Sequence, residues 1–285
     1  MRDKPTRPRV GTVILHHTRP ELAAACLNSL SHQTYPLQEV VLVDNGSDDR
    51  FDRPLDHPTP AHHILRLSEN RGFAGGVNAG IQWLNQHADV DCVWLLNNDT
   101  LCPPRVLEEM VSRLYDDPEC GAVSAILEEQ KPGGGLRRIA GGHFPLRLLI
   151  PFVSEPGDPV DYLCGACMLL RREALLDVGP LDESYFFFFE DVDWCLRARR
   201  KNWHLSVCER TTVLHRRSST IGGLPRLRAA YYRRSHIHFL RNNSKAPRLT
   251  AALSTAYRLI TDGVRGRRDA LAGTLDGWRQ GWESL

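Results

Sequence analysis

The segment Glu39-Val40-Val41-Leu42-Val43-Asp44-Asn45-Gly46-Ser47 carries most of the architectural information in this chain. Four consecutive apolar residues, three of them β-branched, are too short for a buried helix, and an Asn-Gly turn pair stops them. That is the pattern of a strand covered on both faces. Such a strand needs helices above and below it, and the upstream sequence supplies one. Val10-Gly-Thr-Val-Ile-Leu15 is a second apolar run. Between the two, Arg19-Pro20-Glu21 opens a helix with Leu22, Cys26, Leu27 and Leu30 at helical spacing. The alternation predicts a parallel sheet with helical crossovers.

The pattern continues downstream. Ile64–Leu67 reads as a short strand, and a glycine-rich turn from Asn70 to Gly76 leads into a helix carrying Val77, Ile81 and Leu84. Cys92–Leu96 is a fully apolar strand ending at Asn97-Asn98-Asp99. Pro103-Pro104 starts a helix reaching about Tyr115, and Ala122–Leu127 is a further strand. Residues 130–160 are rich in Gly and Pro and predict a loop or lid. Tyr162–Leu170 reads as a strand and Arg171–Val178 as a short helix. Asp182–Asp193 leads into a helix with Trp194, Leu196 and Ala198, and Trp203–Leu214 is the last strand region, ending at His215. From Pro225 onward the chain is helical, basic and amphipathic in pattern.

A chain of 285 residues with 42% apolar composition supports one large α/β core with an appendage. Aromatic and branched residues occur throughout, which excludes a disordered chain, and there is no fixed-period repeat. After Met1-Arg2-Asp3-Lys4-Pro5 the first apolar run, Val10–Leu15, is too short for a signal peptide, and no window reaches the roughly 18 apolar residues of a membrane span. These features predict a cytoplasmic protein, or one peripheral on the inner face of the cell membrane. The eight cysteines are expected to be reduced. Cys164-Gly-Ala-Cys167 is a lone C-x-x-C without a second pair at zinc spacing, which favours packing over metal or redox chemistry. Charge is strongly asymmetric: residues 197–285 hold 19 Lys and Arg against 5 Asp and Glu, whereas residues 1–196 hold 17 against 29. A basic C-terminal third implies an anionic partner: phosphates, an anionic membrane surface, or the acidic remainder of the chain. No nucleic-acid-binding motif is present.

In open α/β sheets ligands bind beyond the carboxyl ends of the strands, and three polar clusters fall at such ends: Asp44–Asp48, Asn97-Asn98-Asp99 and His215. Asp44 is placed to accept from a ribose or base N–H, although Asp-Asn-Gly is equally ordinary turn chemistry. The Asn70–Gly76 turn exposes backbone N–H groups suited to a phosphate, or simply enters a helix. Three polar side chains after Trp94-Leu95-Leu96 suit a hard divalent cation, with Asp99 supplying charge; the bland alternative is a helix-capping loop. His215 is a metal or phosphate ligand or a structural histidine. Glu190, Asp191 and Asp193 crowd three carboxylates into four positions, a repulsion that the helix N-terminus relieves only in part. The four phenylalanines before them would bury a carboxylate and tune it toward a general base.

Together these segments resemble family-2 glycosyltransferases, within them the bacterial rhamnosyltransferase-like group. The resemblance rests on Val41–Asp48, Asn70–Asn78, Leu95–Asp99, Cys164–Arg172, Gly179–Glu183, Phe189–Arg197 and Leu214-His215, in the family's order over residues 9–220. It implies a GT-A fold: a mostly parallel central sheet flanked by helices, with a nucleotide-binding half over 9–128, an acceptor half over 129–222, and a helical C-terminal extension over 223–285. By motif position Asp44, Asn45 and Ser47 would meet the nucleoside, and Arg71, Gly72, Asn78, Asn97 and Asn98 the donor path. Asp99 and His215 would hold Mg2+ or Mn2+. Cys164, Gly165, Ala166 and Trp194 would lie on the acceptor side, with Asp191 as catalytic base beside Glu190. The implied partners are a dTDP- or UDP-linked sugar, dTDP-rhamnose first, and a glycan or polyprenyl-linked acceptor; a second copy of the chain is a further candidate. The implied reaction is inverting transfer in polysaccharide, cell-wall or glycolipid biosynthesis. Two departures stand out. Asn97 replaces the first aspartate of the D-x-D metal motif, and His16-His17 stands where the family often has Tyr-Asn. A sugar nucleotidyltransferase and a non-catalytic nucleotide- or carbohydrate-binding protein would share the fold. The former wants a basic glycine-rich loop where His16–Pro20 stands, and the intact Glu190-Asp191 pair argues against the latter.

Overall fold

The structure, a computed structural model, describes residues 7–48, 62–131, 134–144, 149–216 and 223–283. The first half follows the alternation. Strand β1 (Val10–His16), helix α1 (Pro20–Leu30), β2 (Glu39–Asn45), β3 (His62–Leu67), α2 (Gly72–His87) and β4 (Cys92–Asn97) build a parallel block in the spatial order β3-β2-β1-β4. All three pairings in that block are parallel. After a short β5 (Thr100–Leu101) come α3 (Val106–Tyr115), β6 (Cys120–Gln130), β7 (Leu136–Ile139), β8 (Gly141–His143) and β9 (Phe152–Ser154). Then follow β10 (Cys167–Arg171), α4 (Arg172–Val178), α5 (Glu190–Arg200), β11 (His204–His215) and the C-terminal helices α6 (Pro225–Asn243), α7 (Pro247–Val264) and α8 (Arg268–Glu283).

The main sheet has nine strands in the order β3-β2-β1-β4-β10-β6-β11-β5, with β7 paired to β6. Strand β10 is antiparallel to both β4 and β6, so β4 and β6 run the same way, and β11 runs parallel to β6. The carboxyl ends of β1, β2, β4, β6 and β11 therefore open on one edge of the sheet. Two apolar layers sandwich it. Cys26, Leu27, Trp94, Val106 and Met110 pack on one face, and Phe73, Val77, Leu95, Met168 and Trp194 on the other.

Two expectations change in detail. The region 130–160, read as loop or lid, holds β7 and the β8–β9 hairpin among its described residues. Its glycines sit in turns and at pairing positions, which composition alone does not separate from a coil. The strand expected over 162–170 shrinks to β10, because Cys164–Ala166 form a turn instead. The eight cysteines are unpaired in the structure, and all but Cys164 are buried. Met1–Pro5 and the expected boundary between 222 and 223 lie outside the described residues.

Helix α6 is part of the body. Phe239 shares a buried cluster with Tyr185, Phe189 and Val192. Helix α7 is pinned to it by the buried Arg233, which donates to Ser254 Oγ (2.8 Å) and Ser254 O (3.2 Å). Helix α8 packs through Gly273, Gly277 and Gly281, where a Cβ would meet α6 directly. At Gly277 the added carbon would overlap Ala230 O. We therefore expect Gly277→Ala to lower stability by about 1–3 kcal/mol despite alanine's better helix propensity, read as a lower midpoint in urea with unchanged slope.

Candidate active site

The polar clusters do meet. At the shared sheet edge, His16 ends β1, Asp44 and Asn45 end β2, Asn97 ends β4, and His215 ends β11. A cleft of about 240 Å3 opens there, lined among others by His17, Asn45, Gly72, Phe73, Asn97, Asn98 and Asp99. Phe186, Phe187 and the first turns of α6, with Leu224, Leu227 and Tyr231, form its other wall.

Asp44 is 3% exposed, and its Oδ1 accepts from Ser47 N at 3.1 Å. Ser47 Oγ in turn accepts from Thr18 N. Asn45 is a brace: its Nδ2 donates to Gly72 O (2.9 Å) and Asn70 Oδ1 (3.1 Å), and its Oδ1 accepts from Arg71 N. The turn entering α2 is thereby fixed. Gly72 has φ 72°, and a Cβ there would strike Phe186 O, which accepts from Phe73 N at 2.9 Å. Only glycine fits both the dihedral and the approach. Asn98 Nδ2 donates to His16 Nδ1 at 3.1 Å, and burial lowers the His16 pKa, so its ring is neutral near pH 7.

The other expected donor-path residues make different contacts. Arg71 pairs with Glu183 at 2.9 Å, and Asn78 donates to Leu181 O and Glu183 Oε1. Both tie α2 to the turn before α5. Trp194, expected on the acceptor side, is fully buried with its indole N–H on Gly179 O. It is core, because its position on α5 faces the sheet rather than the cleft. Asp193 is consumed by an ion pair with Arg197 at 2.7 Å.

Asp99 is 6% exposed. Its Oδ1 has no hydrogen bond of acceptable geometry, and His215 Nε2 stands 3.2 Å away as an ion pair. On the far side of the ring, His215 Nδ1 donates to Glu129 Oε1 at 2.9 Å. Burial alone would lower the His215 pKa, but the two carboxylates outweigh it and carry it up to about 9. Glu129 escaped the sequence reading, since it stands in a charged run, Glu128-Glu129-Gln130, that looks like a solvated strand end. The only available signal was its position at the carboxyl end of the strand after α3. A buried carboxylate beside an imidazole whose second nitrogen is held by another carboxylate is the donor set of a hard divalent ion with an oriented histidine, once the ring gives up its Nε2 proton. The residues present therefore fit such an ion. A second cluster, Asp117, Glu119 and His204, also brings three ligand atoms close together. It sits at the amino ends of β6 and β11, about 30 Å along the strands from Glu129, and plays no part in the cleft.

Asp191 occupies the first turn of α5. Its Oδ2 accepts from Gly165 N at 2.9 Å and its Oδ1 from Val192 N at 2.8 Å. Ala166, next along the turn, accepts from Asn97 N at 3.0 Å. One turn thus links Asp191 to the Asn97–Asp99 loop. A Cβ on Gly165 would sit about equally close to Asp191 and to the cleft-lining Phe73. Burial pushes the Asp191 pKa up against the backbone donors that lower it. Glu190 is more deeply placed, with Oε2 unpartnered, and burial together with the neighbouring Asp191 drives its pKa well above the usual carboxylate range. Cys164 is likewise held protonated by burial. Phe188 and Phe189 precede this pair with φ of 71° and 72°. Two consecutive non-glycine residues in the left-handed region are uncommon. Phe189 is held there by stacking on His236, and Phe188 by an edge contact with Tyr232.

Residues 12–179 match the family described as "Glycosyl transferase family 2". This chain belongs to that family, and its fold is GT-A. It is 28% identical over 189 residues to "Low-salt glycan biosynthesis hexosyltransferase Agl10" of Haloferax volcanii, covering 62% of this chain and 58% of that protein. It is 28% identical over 242 residues to "N-acetylglucosaminyl-diphospho-decaprenol L-rhamnosyltransferase" of Mycobacterium tuberculosis, covering 75% and 78%. The solved mannosyltransferase PcManGT from Pyrobaculum calidifontis, in complex with GDP-Man and Mn2+, superposes with a TM-score of 0.65 at 19% identity, over 99% of this chain and 89% of that one.

Two outcomes are expected here. Glu129→Gln should weaken Mn2+ binding by about 10-fold or more, measured by the free-ion signal in electron paramagnetic resonance, because the histidine loses its orienting carboxylate. Glu190→Gln should leave the melting temperature at neutral pH unchanged or higher. The folded-state pKa of Glu190 is raised, so ionisation costs stability as pH rises through it, and the amide removes that cost.

Proposed function

We propose that this chain is an inverting, divalent-metal-dependent transferase that moves a sugar from a nucleoside diphosphate donor to a hydroxyl of a glycan or polyprenyl-linked acceptor. The observation that carries this reading is the Cys164–Cys167 turn, which gives Asp191 a hydrogen-bond donor and anchors the Asn97–Asp99 loop. A base joined through one turn to a charge-bearing leaving-group site is what a single displacement requires.

The acceptor oxygen attacks the anomeric carbon and its proton passes to Asp191, while the carbon–oxygen bond to the diphosphate breaks on the opposite side. One base and one displacement invert the anomeric centre. Asp99 and His215 would hold Mg2+ or Mn2+, which supplies positive charge where the diphosphate leaves. Asp44 and Ser47, joined at the end of β2 with the buried His16 on the neighbouring strand end, would take the nucleoside. Phe73, Phe186 and Phe187 exclude water from the reacting centre. For the donor we favour a dTDP- or UDP-linked sugar, with rhamnose first because the mycobacterial relative bears a rhamnosyltransferase name. The product would enter polysaccharide, cell-wall or glycolipid synthesis.

Asp191→Asn should lower kcat by at least about 10^3-fold, given the loss of the only base, while leaving donor affinity within about twofold in a thermal-shift titration. Retained turnover would remove Asp191 from this role. In the parent enzyme the competent form of Asp191 is the carboxylate. With its pKa raised, kcat/KM should fall as pH drops through a value above the ordinary aspartate range, and the limb should vanish in the Asn variant. Chelation with EDTA should abolish transfer and Mn2+ should restore it.

A further inference from the structure

Large apolar side chains on the surface concentrate on one helix. Leu249, Leu253, Tyr257, Ile260 and Val264 are each more than half exposed. They fall within one narrow arc of α7, opposite the buried Thr250, Ala251, Ser254, Thr255 and Asp262 that face α6 and α8. At 1.5 Å per residue the stripe runs about 22 Å. Isolated exposed leucines need no explanation, but an aligned stripe does.

The charges around it point to the occupant. From Lys245 to Arg268 the exposed cations are Lys245, Arg248, Arg258, Arg265, Arg267 and Arg268, and the one acid in that span, the buried Asp262, pairs with Arg267 at 3.4 Å and with Arg258 at 4.0 Å. Cations thus sit at both ends of the stripe. At its N-terminal end a groove is lined by Arg241, Arg248, Leu249, Trp278 and Trp282, pairing indole rings with guanidinium groups, as sites at a lipid–water boundary do. Two copies meeting stripe to stripe would bring the cations at the stripe ends together, a repulsion that an anionic bilayer turns into attraction. No helix among the described residues is long and apolar enough to cross a membrane, so the geometry is that of a helix lying in the interface.

We propose that α7 docks this protein on an anionic lipid bilayer, its apolar stripe in the headgroup boundary and its flanking arginines on lipid phosphates. Helix α7 also packs on the helix whose first turn walls the cleft. Arg258 of α7 lies over Tyr232 at 5.2 Å, Tyr232 meets Phe188, and Leu224 and Leu227 at the start of α6 line the cleft. A hydroxyl carried on a membrane lipid would arrive at that rim. The binding itself needs neither donor nor metal, so it stands or falls separately from the transfer reaction.

The test is co-sedimentation of the full chain with phosphatidylglycerol–phosphatidylcholine vesicles and with phosphatidylcholine alone, without nucleotide or metal. Binding is expected to the former and to weaken steeply with salt. Leu253→Glu/Ile260→Glu should reduce the partition coefficient at least about tenfold, and Arg265→Gln/Arg268→Gln should flatten the salt dependence. Both pairs are exposed, and unchanged melting temperatures would show that the fold is kept. Absence of parent binding to the anionic vesicles would overturn the proposal. So would undiminished binding of the glutamate variant, or a concentration-dependent dimer, seen by sedimentation equilibrium, that this variant abolishes while vesicle binding persists.

Discussion

The hydrogen bond from the Gly165 amide to Asp191 ties the start of α5 to the turn that leads into β10. The turn that donates it ends in β10, an interior strand that runs against both its neighbours. Because β10 enters from the cleft side between β4 and β6, its leading turn lies at the carboxyl edge of the sheet, where Ala166 takes the Asn97 amide. Reversing that single strand lets one short segment touch both the Asn97–Asp99 loop and the start of α5. A uniformly parallel sheet would carry this segment to the opposite edge.

Helix α5 is aimed by an unfavourable backbone. Holding Phe188 and Phe189 in the left-handed region costs roughly 1–2 kcal/mol each, an amount offset by burying aromatic surface against α6 at about 1.5–3 kcal/mol per ring. Phe187 O also accepts from Ser235 Oγ, and Phe189 packs on Phe239. The C-terminal helices are therefore part of the site's construction. Loosening α6 would free the backbone before Glu190 to relax and swing Asp191 away from Gly165. Helix α7 is held on another part of the same helix, through Arg233 and the packing of Ala251 on Ile237 and Leu240, so α6 supports both the apolar stripe and the base candidate.

Much of this was legible in the sequence. The unbroken apolar runs at β1, β2 and β4 could only be doubly covered strands, and the polar residues that stop them lie where a parallel sheet gathers its ends. The placement of Asp44, Asp99 and His215 at the carboxyl edge follows from that argument, whereas Asp191, on a helix, is reached only through the crowding of Glu190, Asp191 and Asp193 and its motif position. Other features were hidden for physical reasons. Glu129 reads as a solvated strand end until β11 is laid beside β6 and brings His215 to it. Trp194 looks like an acceptor platform beside the acidic pair, yet one residue's rotation about α5 turns it into the core. Arg71 and Asn78 look like ligand contacts but converge on Glu183, a pairing across more than a hundred residues that no local pattern reveals. The 130–160 region was misread because glycine marks tight pairing and coil alike.

The proposed transfer requires nucleoside, metal and base to meet at the carboxyl edge of the sheet. A crystal structure of the protein with dTDP or UDP and Mn2+ examines this most directly. Anomalous density for the ion is expected against Asp99 and His215, with the nucleoside beside Asp44 and Asp191 facing the open end of the diphosphate. An ion bound instead at Asp117, Glu119 and His204, or a nucleotide seated away from the carboxyl edge of the sheet, would contradict it.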